Sequence, residues 1–227
     1  MENNSEKHIA LFLPSLKGGG AERVIVNLAR GFAERGLQVD LVLAKAEGPL
    51  LAEVPKEVKV VDLDSKRVLY SLPKLVRYLC NKTPDALLYA LDHANLVAIW
   101  AKMLTRVSTH VVVSVHSTPS LEIANIQSLL ARFMPYCMRF FYPWAYAVIA
   151  VSKGTANDLV QLTGLPMDKL RVIYNPAITS DFLVKSKEAL DHPWFQPNEP
   201  PVILGVGRLT ASKDFTTLIR AFALVKR

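Results

Sequence analysis

A chain of 227 residues holds one large domain or one and a half ordinary ones, and 51% hydrophobic against 21% charged residues describes a folded protein with a real core. A formal charge of +7 favours anionic partners, whether nucleotide phosphates, lipid headgroups or nucleic acid, without choosing among them. Cys80 and Cys137 lie far apart and form no metal-like cluster, which fits a reducing cytoplasm.

The start, MENNSEKH, lacks the basic-then-apolar order of a secretory signal, and the longest apolar run (140–151) is too short to span a bilayer and contains Pro143. HIALFLP (8–14) reads as a buried strand. Three glycines follow, and then Val24, Leu28 and Phe32 recur every four residues as the apolar face of a helix that Gly36 ends. QVDLVLA (38–44) and VKVVDL (58–63) are the second and third strands. A helix around 69–80 meets the break NKTPD, after which ALLYA (86–90) is a strand, and 94–105 a helix that His93 begins. The β-branched run THVVVSVH (109–116) is a fifth strand, followed by one long apolar and aromatic helix over about 121–142. AVIAVS (147–152), a helix at 154–163 capped by Ser152, and LRVIYNP (170–176) complete the series, with Asn175 shaping a turn before Pro176.

Strands alternating with helices predict an α/β fold, a Rossmann-like doubly wound parallel sheet over residues 1–185. The proline-rich stretch DHPWFQPNEPP marks a linker over 186–200. Residues 201–227 then supply one strand, one loop and one helix, an incomplete second domain whose lone strand has no neighbours to cover it.

The glycines of LKGGGAERV (16–24) fall where a strand hands over to a helix, a place where backbone can approach a ligand and helix N–H groups can face an anion. Glu22, in the first turn, suits the positive end of that helix. The dinucleotide fingerprint is not met: GGGAER lacks the third glycine, and Asp40 only roughly suits the acidic position. A ligand site for a phosphate- or hydroxyl-bearing molecule and a plain glycine-rich turn both remain open on these residues alone.

Four strings taken in order, LKGGGAERV, VVVSVHSTP (111–119), AVIAVSKGTANDL (147–159) running on to VIYNP (172–176), and GVGRLTASKDFTTLIRAFALV (205–225), resemble glycosyltransferase family 4 enzymes of the GT-B type. The segment PDALLYALDHANLVAIW (84–100) is similar to the family's fourth strand and following helix, with Asn95 at a polar position. The resemblance implies two Rossmann-like domains facing across a cleft, with this chain supplying the acceptor-side domain and the first strand and helix of the donor-side one. It implies a retaining transfer from a nucleotide-sugar donor to a glycan or lipid-linked acceptor in cell-envelope polysaccharide or glycolipid assembly. It further implies that no cofactor or metal is required, so that cations and backbone N–H groups would stabilise the departing diphosphate.

By position, the resemblance assigns Arg208 and Lys213 to the donor diphosphate, Gly18, Gly19 and Gly20 to the donor phosphates or the acceptor, and His116 to the donor sugar near the reacting centre. One departure matters. The family's donor half carries two glutamates seven residues apart, and no glutamate follows Glu199 here. These 227 residues are therefore expected to be inactive alone, the alternative being a non-catalytic acceptor-binding subunit completed by a separate donor-domain chain. The stretch 121–148, with Phe133, Tyr136, Phe140, Phe141, Tyr142, Trp144 and Tyr146 beside Arg132 and Arg139, reads either as a core helix or as a surface for anionic membrane. The second reading makes the protein cytoplasmic and peripheral on the inner face of the membrane. Nucleic acid is not an expected partner, since the aromatics are not interleaved with basic residues along a strand-binding face.

Overall fold

The computed structural model describes residues 7–90, 95–125, 129–178, 180–207, 209–210 and 213–225 of the chain. It divides into two compact units, Met1–Thr179 and Ser180–Arg227.

The first unit is built on a seven-stranded, all-parallel sheet: β1 (His8–Leu13), β2 (Gln38–Leu43), β3 (Lys59–Asp62), β4 (Ala86–Ala90), β5 (His110–Val115), β6 (Ala147–Ala150) and β7 (Leu170–Val172). Their spatial order is β3-β2-β1-β4-β5-β6-β7, so the chain builds outward from β1 in one direction and then returns to build from its other side. Every strand expected from the sequence of this unit is present, shortened by up to four residues at its ends.

The reason is burial on both faces. Alternate side chains of a strand point to opposite sides. Ala10 and Phe12 of β1 join one core with Leu75 and Leu79, while Leu11 and Leu13 join a second core with Ile25 and Ala29. Those partners come from α2 (Leu72–Lys82) on one side and α1 (Gly20–Ala33) on the other. A strand sandwiched in this way must be apolar at every position, which is why HIALFL shows no alternation. Phe12 and Tyr89 of the neighbouring β4 meet edge to face, with ring centres 4.9 Å apart.

Helix ends follow local chemistry. Gly36 donates its N–H to the Ala33 carbonyl at 2.9 Å just past α1, the terminator position expected of it. Thr83 closes α2 in the left-handed conformation at φ +40°, within the predicted break. Helix α3 (Asn95–Leu104) follows β4, and α6 (Lys153–Thr163) starts at Ser152, whose Oγ accepts from the Thr155 N–H at 3.0 Å. The cap expected at Ser152 is therefore in place.

The region from 119 to 144 differs from the single long helix expected. It forms α4 (Pro119–Asn125) and α5 (Leu129–Phe141), followed by a short 3-10 turn at Tyr142–Trp144. Its aromatics also split between core and surface. Tyr142 is fully buried, whereas Phe133, Tyr136, Phe140 and Trp144 are 62–71% exposed. The spacing of Phe133, Tyr136 and Phe140 places those three along one face of α5, and Trp144 follows in the 3-10 turn. No helix among the described residues is long and apolar enough to cross a membrane.

The second unit holds α7 (Ser180–Lys185), a 3-10 turn at Pro193–Phe195 and α8 (Phe215–Val225). Residues 202–206, expected as a strand, form none. A strand satisfies its N–H and C=O groups through neighbours, and among the described residues no strand pairs with this segment. It packs instead on its own helix: a Cβ on Gly205 would come within 2.9 Å of the Phe215 ring and 3.1 Å of Leu218. No residue of α8 is buried, although most of its side chains are apolar.

Candidate functional site

Open parallel sheets bind ligands outside the carboxyl ends of their strands, where strand order reverses. Here the reversal lies between β1 and β4. Residues 14–19 leave β1 at that edge and lead into α1.

This loop is braced by the one leaving β2. The Leu16 N–H donates to the Glu47 carbonyl at 2.9 Å, and the Leu50 N–H donates to the Leu16 carbonyl at 3.3 Å. Lys17 Nζ lies 2.9 Å from Glu47 Oε1. The hydrogen bond from Lys17 holds the Glu47 carboxyl below the ordinary carboxylate range, with the nearby Lys45 charge adding to it. The close approach of the two loops depends on Gly48, because a Cβ there would run into the Leu16 carbonyl group.

The three glycines differ in what requires them. Gly18 has φ +102°, a conformation that L side chains rarely adopt. Gly19 is the N-cap of α1, with the Glu22 carboxylate folded over it. Gly20 has no positive φ, and a Cβ on it would meet nothing within 4 Å. Nothing among the described residues calls for glycine at that position. No side-chain hydrogen bond caps α1, and the Glu22 carboxylate lying beside Gly19 must swing away before an anion can take that place.

His116 follows directly on β5 at the same edge. Adjacent strands stand about 4.8 Å apart, so β4 separates the glycine loop from His116 by about 10 Å. The ring is half-buried, with Nε2 3.0 Å from Ser114 Oγ. Its Nδ1 is buried and has no partner among the described residues. Burial pushes the imidazole below its ordinary value, so the ring is neutral at pH 7. A neutral imidazole with one nitrogen engaged and the other unused can offer a hydrogen bond to a sugar hydroxyl without carrying charge. The turn after His116 is pinned from α6, since Asp158 accepts from both the N–H and the hydroxyl of Ser120.

Asn95 takes on more than the polar position read from the sequence. It stands in the first turn of α3, beyond the end of β4, and is fully buried. Its Nδ2 donates to the Tyr142 hydroxyl at 3.1 Å, and its Oδ1 has no partner among the described residues. The signal was visible only as a lone amide opening the apolar run NLVAIW. Asp40 goes the other way. It is the third residue of β2, away from the carboxyl edge, and its Oδ2 accepts from the Tyr78 hydroxyl at 2.7 Å with His8 Nε2 at 3.2 Å. That engagement excludes a ribose contact, and burial followed by the Asp40 hydrogen bond pushes the Tyr78 phenol far up.

Lys213 belongs to the second unit, two residues ahead of α8, with its N–H on the Thr210 carbonyl at 3.0 Å. Asp214 caps that helix, its Oδ1 accepting from the Thr217 N–H at 3.2 Å. A lysine next to the positive end of a helix does nothing for the helix itself. Here the Asp214 carboxylate already occupies that end, with Lys213 beside it. Arg208 and His93 lie outside the described residues. Asn175 is exposed in the turn after β7, where its carbonyl accepts from the Ala177 N–H at 2.8 Å.

The sequence profile of Glycosyltransferase Family 4 matches residues 18–181, well over half of the chain. A curated relative from Campylobacter jejuni, N-acetylgalactosamine-N,N'-diacetylbacillosaminyl-diphospho-undecaprenol 4-alpha-N-acetylgalactosaminyltransferase, is 29% identical over 231 residues, which cover 96% of this chain and 60% of the relative. A solved glycosyltransferase from Rickettsia africae is similar at TM-score 0.64 and 19% identity over 97% of this chain and 58% of its own. The Anabaena protein HepE, solved with UDP and glucose, is similar at TM-score 0.56 and 21% identity over 74% of this chain and 44% of its own. The shared fold is that of the GT-B glycosyltransferases. The chain spans about 60% of the length of the curated relative it matches.

Proposed function

Because the chain belongs to glycosyltransferase family 4, we propose that it forms the acceptor side, and the opening of the donor side, of an enzyme that moves a sugar from a nucleotide-sugar donor to a glycan or lipid-linked acceptor. Transfer proceeds with retention and without a metal, in the assembly of cell-envelope polysaccharide or glycolipid. The observation that carries this reading is Gly20: neither packing nor backbone conformation requires a glycine there, yet its open side is the mouth of α1 at the switch point of the sheet. That is the room a sugar phosphate needs. The name of the Campylobacter relative contains a diphospho-undecaprenol acceptor, which supports a lipid-linked one here.

The chemistry divides among few groups. As the glycosidic bond of the donor breaks, negative charge gathers on the nucleoside diphosphate. Arg208 supplies a permanently charged fork to it, and Lys213 a compact charge beside the N-terminus of α8. Neutral His116 holds a donor-sugar hydroxyl through its unused nitrogen, orienting the anomeric carbon. The first N–H groups of α1, over Gly19 and Gly20, hold the donor phosphates or the acceptor. Calorimetric titration of uridine and guanosine diphosphates and their sugars tests this assignment. Binding is expected to weaken with Lys213→Ala and with Arg208→Ala, and binding unchanged by both would refute it.

Two further readings each rest on one observation. The unburied face of α8 favours a non-catalytic acceptor-binding subunit completed by a separate donor-domain chain, and inactivity of these 227 residues alone. Turnover of a nucleotide sugar by the purified chain would refute that reading. The exposed row Phe133, Tyr136, Phe140 and Trp144, with Arg139 beside it, favours peripheral docking on the anionic inner face of the cytoplasmic membrane. Equal sedimentation with anionic and neutral liposomes would remove its electrostatic part.

A further inference from the structure

At the opposite end of the sheet from the proposed donor and acceptor site, between the amino ends of β5 and β6, lies a cavity of about 460 Å³. Pockets that hold small ligands run from about 300 to 1,000 Å³. The six residues of β5 separate this cavity from His116, a distance of about 20 Å at a rise of about 3.3 Å per residue. It is therefore not an extension of the first site.

Its walls have a specific chemistry. Thr109 lines it, is 1% exposed, and has a hydroxyl with no hydrogen-bond partner among the described residues. Ser108, exposed in the same wall, presents the hydroxyl that a ligand can reach. Trp144 and Tyr146 stand at the rim with most of their surface exposed. His110 packs edge to face on Tyr146, with centroids 4.2 Å apart, and so holds that ring in place. Two lysines are among its lining residues. Lys102 is tethered by its bond to the Val107 carbonyl, and Lys169 precedes β7. Among the described residues, no carboxylate pairs with either.

We propose that this cavity is a second ligand site, and that its ligand is a phosphorylated sugar. An aromatic face with hydroxyls beside it suits a pyranose ring, and two unpaired ammonium groups suit a phosphate; neither part alone accounts for the other. In the complex the ring lies against Trp144, a sugar hydroxyl bonds the exposed Ser108, and the phosphate sits between Lys102 and Lys169.

Amide shifts from heteronuclear NMR on the 227-residue chain test this with glucose 6-phosphate as the probe. The amides of Thr109, His110 and Tyr146 are expected to move and saturate, and Trp144→Ala to abolish those shifts while leaving any at the Gly18 loop unchanged. Trp144→Ala and Lys169→Gln, both surface changes, each weaken binding by about tenfold or more without altering the melting temperature. Glucose and inorganic phosphate bind more weakly than the sugar phosphate. A parallel titration with a farnesyl-diphosphate-linked N-acetylglucosamine in micelles tells a lipid-borne ligand from a free one by which binds tighter. The proposal is overturned if no shift saturates with either probe, if binding survives both substitutions, or if inorganic phosphate binds as tightly as the sugar phosphate.

Discussion

Replacing Gly48 with alanine is the sharpest test of how the glycine loop is held. At φ +116° and ψ 160°, Gly48 occupies a region open essentially to glycine alone, and forcing another residue there costs about 1–3 kcal/mol. The added Cβ would also collide with the Leu16 carbonyl group and lie 2.7 Å from the Lys17 nitrogen. Those are backbone atoms and cannot rotate aside, so the two loops must part. Parting them breaks the Leu16 to Glu47 and Leu50 to Leu16 hydrogen bonds, worth about 0.5–1.5 kcal/mol each. Together the losses come to about 2–6 kcal/mol, a large share of the roughly 5–15 kcal/mol that domains possess. Urea denaturation followed by circular dichroism measures the change. Gly20→Ala is the control, since its Cβ meets nothing, and it should be neutral or add about 0.4–1 kcal/mol. If Gly48→Ala falls within about 0.5 kcal/mol of the parent, within the scatter of ordinary surface substitutions, the bracing argument is wrong.

Other outcomes follow from the same geometry. The folded His116 holds its neutral form below the ordinary imidazole value of 6.5, so its contribution to stability is full above about 6.5 and drains away as pH falls through the depressed folded value. His116→Gln should flatten that part of the stability-against-pH curve, and an unchanged curve would contradict the burial argument. Ser152→Ala removes the α6 cap and should cost about 1 kcal/mol in denaturant. Tyr78→Phe strips a donor from buried Asp40 and should cost about 1–3 kcal/mol, whereas a neutral result would mean that His8 alone satisfies the carboxylate. Amides over 202–206 should exchange quickly, and strong protection there in a monomer would show that they pair after all.

Much of the site was legible because a few residues carry short-range signals. The glycines of LKGGGAERV, the histidine ending a β-branched strand and the serine opening a helix all act through backbone within a few positions. Gly48 and Glu47 were not legible as partners of Leu16 and Lys17. Their pairing spans about thirty residues and exists only because β1 and β2 lie side by side. The part Asp40 plays was not legible for the same reason: it depends on Tyr78, 38 residues away.

Pattern alone determined the strands of the first unit: the central ones, buried on both faces, are continuously apolar whatever they pack against, and the edge strands β3 and β7 show as short apolar runs between breaks. It also determined the turns and caps, which are settled by neighbours in the chain. Tertiary structure decided the strand order that sets the switch point between β1 and β4, and the division of the 121–148 aromatics between core and surface. It decided as well that 202–206, apolar enough for a strand, forms none. Apolarity says that a segment seeks cover, and only the presence of a neighbouring strand decides whether its backbone can form a ladder.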